Sequence, residues 1–213
     1  MRRAAITALV LSAMAVTATA QAAGEPRVWN FRAYLDDAPI GYHRFTLREQ
    51  GDGRELKSES RFEVKVLFVT AYRYAHDATE QWRGNCLDSL TARTDDNGDR
   101  PTVDAKMEKG QLAVIRSGGS SSIGGCVMSF AYWNPQMLRQ ARLLNAQTGE
   151  FEAVKISALG DDNIIVRGAT VAAKHYRVTG PKNPIDLWYS QSDEWLALES
   201  TVAGGRRLRY RLN

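Results

Sequence analysis

Imidazole is the side chain that most readily moves a proton near neutral pH, and the chain carries three, His43, His76 and His175. A metal site would need them at ligand spacing with cysteines or carboxylates, and they are scattered. His76 and Asp77 are neighbours in a strand-like run, so they point to opposite faces and cannot form a dyad. His43 falls in phase with Phe45 and Leu47, which suits a core or pocket histidine. The run Ser117–Gly125 is rich in serine. It contains neither a Gly-x-Ser-x-Gly elbow nor a Gly-Lys-Ser/Thr phosphate loop, and it reads as a flexible loop. Asp95-x-Asn97-x-Asp99 opens like a calcium loop but has Arg100 where glycine is needed and Lys106 where glutamate is needed. The pairs Asp36-Asp37 and Asp161-Asp162 are turn residues. No catalytic constellation, metal site or cofactor is expected.

The aromatic residues point further. Trp29, Phe31, Phe62, Phe68, Tyr72, Trp82 and Trp133 fall on, or next to, the apolar phase of β-like runs. They could form an ordinary core. They could also enclose an apolar pocket for a lipid-like ligand, as open barrels with a helix across the mouth do. The expected lining is Phe62, Phe68, Tyr72 and Trp82 from the sheet, with Trp133 and Met137 from above. The four sheet residues have even numbers and share a face if register is kept between strands.

The elements that would position these groups are mostly strands. Val28–Leu35 and Ile40–Glu49 alternate cleanly about an Asp-Asp-Ala-Pro turn. Arg61–Trp82 is too long for one strand, and a break near Val69-Thr70-Ala71 is expected. Asn97-Gly98 marks a hairpin. The C-terminal part is a meander in which Leu208, Tyr210 and Leu212 face inward and Arg207, Arg209 and Arg211 outward. One helix is expected over about 134–142. Asn134 would be its N-cap, Pro135 its first residue, and Met137, Leu138 and Ala141 its apolar face. The architecture that follows is mainly β: a strongly curved antiparallel sheet or open barrel with one short covering helix.

The first residues resemble a secretory leader. Arg2 and Arg3 precede the apolar run Ile6–Ala18, and both Ala18-Thr19-Ala20 and Ala20-Gln21-Ala22 fit the small-x-small cleavage pattern. Cutting after Ala22 leaves a single domain, 23–213. Its 26 basic and 24 acidic residues give a net charge of +2, which does not argue for nucleic acid. No later segment is long and apolar enough to span a bilayer. The basic, Ala-rich leader suits export to a periplasm. In that oxidising compartment the two cysteines, Cys86 and Cys126, favour one intramolecular disulfide.

Two stretches carry a family resemblance. One is Phe130-Ala131-Tyr132-Trp133-Asn134-Pro135 with Leu143-Leu144-Asn145 and Gln147-Thr148-Gly149-Glu150. The other is Asp186-Leu187-Trp188-Tyr189, Trp195-Leu196-Ala197-Leu198-Glu199 and Gly205-Arg206-Arg207-Leu208-Arg209-Tyr210. With Gly41 and Glu80-Gln81-Trp82, they resemble a family of exported proteobacterial β-meander proteins known as a domain of unknown function. More loosely, the pattern is similar to the lipoprotein-carrier open barrel. The resemblance implies one curved β-domain and no particular catalytic residue.

The expected function is non-enzymatic binding or carriage of an apolar or lipid-like molecule in the cell envelope. The alternative is an envelope scaffold that presents an edge strand or the outer arginine row to a protein partner. Thiol labelling of the unreduced, denatured protein should find no free cysteine. Two labels per chain would contradict the disulfide.

Overall fold

A computed structural model describes residues 24–213; the expected leader, residues 1–22, lies outside the described residues. Eight strands run in order from the N-terminal side: β1 (Arg27–Leu35), β2 (Ala38–Gln50), β3 (Gly53–Val66), β4 (Val69–Arg83), β5 (Cys86–Asp96), β6 (Thr102–Glu108), β7 (Gln111–Arg116) and β8 (Gly119–Gly124). A crossing segment follows, with a 3-10 turn at Pro135–Arg139 and a small pair, β9 (Arg142–Leu144) and β10 (Phe151–Ala153). Five more strands complete the chain: β11 (Lys155–Val166), β12 (Ala169–Thr179), β13 (Ile185–Tyr189), β14 (Trp195–Thr201) and β15 (Arg207–Leu212). All the large strands lie in one antiparallel sheet of thirteen, in the order β11 to β15 and then β1 to β8.

Strand alternation builds the curvature. Trp29, Phe31, Ala33 and Leu35 are buried, and the residues between them face out. Leu56 and Ser60 of β3, and His76, Ala78, Glu80 and Trp82 of β4, continue the same buried face. The concave side therefore collects the large apolar groups, among them Trp29, Trp82, Trp195 and Tyr189. Gly41 sits where β2 meets β3 at a φ of +149°, and a Cβ there would run into the Arg61 carbonyl oxygen. Only glycine allows these strands to approach so closely.

The sheet does not close. Its edges are β8 and β11, and residues 125–154 travel between them across the concave face. This crossing segment is tied down along its length. Cys126 is bonded to Cys86 with Cα atoms 4.9 Å apart, and the Leu87 N–H donates to the Val127 carbonyl at 2.8 Å. The Leu144 N–H donates to the Met128 carbonyl, the Tyr189 hydroxyl to the Tyr132 carbonyl, and the Val154 N–H to the Ala141 carbonyl.

Four local expectations need correcting. The helix is a single 3-10 turn of five residues. Asn134 caps it as expected, its side chain accepting from the Gln136 N–H at 3.1 Å, but Gln140 is already extended. Ala141 is exposed, and the consecutive Leu143 and Leu144 are both buried, which suits a strand covered on two sides better than a helix face. The Gly/Ser run is strand β8, because its backbone pairs with β7 from Gly119 to Gly124 although only Ile123 packs a side chain against the core. Asp161-Asp162-Asn163 is not a turn but lies within β11, which absorbs the irregularity as a bulge between Ala158 and Gly160. The long aromatic run breaks at Leu67-Phe68, two residues earlier than the composition suggested.

Gly41→Ala should lower unfolding stability by about 2–4 kcal/mol in a denaturant melt, since it adds both strain and a clash with backbone. A change within about 0.5 kcal/mol would contradict the close approach of β2 and β3.

Candidate functional site

Register decides which side chains meet on the concave face. His43 of β2 pairs with Ser60 of β3, Ser60 with His76 of β4, and His76 with Thr94 of β5. Four polar residues on four adjacent strands thus form one row. The two histidines sit two strands apart, about 10 Å between Cα atoms. His43 Nε2 lies 2.7 Å from Ser58 Oγ and its Nδ1 3.2 Å from the Tyr210 hydroxyl. His76 Nδ1 lies 2.8 Å from Thr94 Oγ1. Ser60 Oγ is buried with no hydrogen-bond partner among the described residues.

Aromatic rings flank this row. His43 stacks on Phe45 at 4.0 Å, and Phe62 stacks on Tyr74 at 5.3 Å and lies 6.1 Å from Tyr210. Burial holds the His43 imidazole well below its usual range and pushes His76 down to about 4. Both rings are therefore neutral near pH 7. Neither ring is hydrogen-bonded to Ser60; His43 instead meets the Ser58 hydroxyl and His76 the Thr94 hydroxyl. Near pH 7 these two rings offer hydrogen bonds without charge. His175 stands apart on the convex side, stacked 4.4 Å from Trp188 and 2.9 Å from Asp186. Asp77, next to His76, faces outward to Arg61 at 2.9 Å, as alternation requires.

The six expected pocket residues separate into three groups. Trp82 meets Trp133 of the crossing segment edge to face at 5.5 Å, and Met137 of the same segment is buried in the same core. All three are buried. Phe62 lies partly buried beside Tyr74, toward the opposite end of the sheet. Tyr72 and Phe68 lie beyond it on the projecting β3–β4 hairpin. The Tyr72 hydroxyl donates to Asp96 at 2.7 Å, and Phe68 is fully exposed at the turn. The structure thus does not bring the six to one cavity.

An open cleft of about 570 Å³ lies at the root of that hairpin, where Ile40, Gly41, Phe62 and Tyr74 are joined by the charged Arg61, Glu63, Arg73 and Asp95. Ile40, Phe62, Ile185 and Leu208 pack against the core while remaining partly exposed, and they form an apolar rim at this end. The outer arginine row is already engaged. Arg207 and Arg211 pair with Glu199, and Arg209 pairs with Asp37 at 2.6 Å.

Glu80 is the group that sequence reasoning missed. It lies on the concave face beneath the crossing segment and accepts the Trp82 indole N–H at 2.9 Å. Burial pushes its carboxyl up to about 7, which the indole and the nearby Ser129 hydroxyl only partly offset. Ser129 Oγ itself falls outside hydrogen-bond geometry. Phase could have found Glu80, because it stands two residues from Trp82 and two from Ala78 on one strand face.

Fold and site together define an open, barrel-like β-domain whose concave face is crossed by a short plug. Residues 31–213 match the family model for the domain of unknown function DUF6134, and the chain belongs to that family. It is also similar in structure to the crystallised beta-barrel-like protein of domain of unknown function DUF1849 from Brucella abortus. That likeness has a TM-score of 0.59 at 14% identity and covers 89% of this chain and 96% of the other. At that identity the likeness speaks for the fold alone. No curated protein matches the chain. Among the described residues, no helix is long and apolar enough to cross a membrane. The bonded cysteines belong to an oxidising setting outside the cytoplasm.

Glu80 gives a pH test. Its raised pKa contributes stability that is present below about 4.5 and lost as pH rises through about 7. His43 and His76 act in the opposite sense. Their depressed values contribute stability present above about 6.5 and lost as pH falls through about 4 for His76. Glu80→Gln keeps the acceptor for Trp82 and leaves both histidines in place. Stability of the variant relative to wild type should rise by about 3 kcal/mol from acidic to mildly alkaline pH. A pH-independent difference would mean that Glu80 titrates normally.

Proposed function

We propose that the mature protein, residues 23–213, is a periplasmic binder or carrier of an apolar, lipid-like molecule. The observation that carries this reading is the partly exposed inward rim of Ile40, Phe62, Ile185 and Leu208, with Tyr74 beside it. Ordinary core residues of this size on a concave face are sealed, as Trp82 and Trp133 are. The crossing segment seals Trp82 and Trp133, whereas Ile40, Phe62, Ile185 and Leu208 stay partly exposed. The neutral row of His43, Ser60, His76 and Thr94 forms the inner boundary of this rim. Its hydrogen-bonding groups suit an uncharged polar end better than a charged one.

The disulfide and the leader-like N-terminal sequence support export. A second reading, an envelope scaffold, is supported by edge strand β8, whose exposed small residues leave its outer backbone accessible for strand addition.

Fluorescence titration with N-phenyl-1-naphthylamine, an uncharged apolar probe, separates the two. Phe62→Ser should weaken probe binding about tenfold, a loss of about 1.4 kcal/mol, and change the melting temperature little. Equal probe affinity in wild type and variant, or no binding by either, would defeat the carrier reading and leave the scaffold ahead.

A further inference from the structure

The β3–β4 hairpin runs past its neighbours. The last β2 partner of β3 is the Gly41–Phe62 pair, and the last β5 partner of β4 is the Tyr74–Asp96 pair. From Glu63 to Arg73 the two strands ladder only with each other, out to Val66–Val69, while at the root the Arg73 carbonyl still accepts from the Asn97 N–H at 2.8 Å. Four residues beyond the sheet give a finger about 13 Å long.

The tip of this finger contradicts ordinary turn chemistry twice. A two-residue hairpin turn with positive φ at both corners favours Asn-Gly, which this chain uses at Asn97-Gly98. At the finger tip the corners are Leu67, with φ +58°, and Phe68, with φ +137°. Bulky side chains are strained there. They are also unburied: Phe68 is fully exposed, Leu67 is 86% exposed and the adjoining Val69 70%. Backbone strain and exposed apolar surface are both unfavourable in water, so the tip is built for another medium.

We infer that this finger docks the protein on a lipid bilayer, with Leu67, Phe68 and Val69 inserted among the acyl chains. Three features favour a membrane over a protein partner. The tip is wholly apolar, which hydrocarbon accepts without specific pairing. The reach of about 13 Å exceeds the headgroup layer, roughly 5–8 Å on each side of a bilayer, so the tip can enter hydrocarbon while the barrel stays outside. The charge is also suitable. Lys65 and Arg73 both lie within 4.0 Å of Glu63, which further accepts from the Thr70 hydroxyl, so two cations share one acid. The excess positive charge sits just behind the apolar tip, at the depth of the lipid phosphates. This inference rests on the finger alone and stands whether or not the concave rim binds a ligand.

The test uses the exported protein and vesicles of phosphatidylethanolamine and phosphatidylglycerol in equal amounts. Wild type should float with the vesicles. The double variant Leu67→Asn/Phe68→Gly installs the relaxed turn and removes the apolar tip, so it should melt no lower than wild type and bind vesicles at least about tenfold more weakly. In a separate Phe68→Trp variant, adding vesicles should shift the emission of the new indole to the blue, and lipids brominated on their acyl chains should quench it. Wild type that fails to float, or a double variant that floats equally well, would overturn the inference. So would an indole that stays in water on bound vesicles. Crosslinking from position 68 to a single envelope protein, without vesicle binding, would overturn it in favour of a protein partner.

Discussion

A sheet of thirteen strands with two free edges has a large apolar face, and the β9–β10 pair is too small a second sheet to cover it. Everything else in this fold depends on how that face is hidden. Curvature does part of the work, by turning the sheet toward itself. The crossing segment does the rest, placing Trp133, Met137, Leu143 and Leu144 onto the concave side. Such a segment must be held, because most of it has no regular structure of its own. The Cys86–Cys126 bond and the Leu87–Val127 hydrogen bond hold its start, and the Arg116–Glu150 ion pair at 2.9 Å holds its return. By the chain-entropy account, a crosslink across 40 residues contributes about 3–4 kcal/mol. That is a sizeable share of the net stability of a domain.

Much of this was legible locally. The buried phase of Trp29, Phe31, Ala33 and Leu35, and that of Tyr210 and Leu212, follows from alternation and holds. The hairpin at Asn97-Gly98 and the cap at Asn134 follow from residue chemistry and hold. What was not legible depends on partners distant in sequence. Ser117–Gly125 has loop composition, and only pairing with β7 makes it a strand. Leu67-Phe68 carries no turn signal, so the long aromatic run was divided at the wrong place. That error carried Phe68 into the expected cavity, when it marks the tip of the hairpin. The row His43–Ser60–His76–Thr94 was invisible for the same reason. Each member is in phase on its own strand, but their alignment requires three cross-strand registers at once.

Charge is divided sharply between the two faces of the sheet. The convex side carries compensated pairs, such as Arg177–Asp186, Arg61–Asp77 and the two arginines on Glu199. Exposed pairs of this kind contribute little to stability. On the concave side burial works against charge. His43 and His76 are held deprotonated by burial, and the same burial favours the protonated form of Glu80. A molecule entering this face would meet aromatic rings and uncharged hydrogen-bonding groups. A charged headgroup would lose its hydration there and gain no ion pair in return.

The two ends of the barrel differ in a way that gives the molecule a direction. At one end, Asn134 Nδ2 donates to Asn85 at 3.1 Å, the Arg54 guanidinium lies 4.7 Å over the Trp133 ring, and the disulfide adds a covalent tie. That end cannot open without breaking several contacts together. The other end carries the apolar rim, and the finger rises directly from it, because Phe62 and Tyr74 are both the last fully flanked pair of the sheet and the stacked base of the hairpin. The rim and the exposed tip are thus joined by one continuous pair of strands. A surface that engages the tip therefore also faces the least sealed part of the concave side. If the tip docks on a bilayer and the rim takes a ligand, both would face the same surface by rigid placement alone.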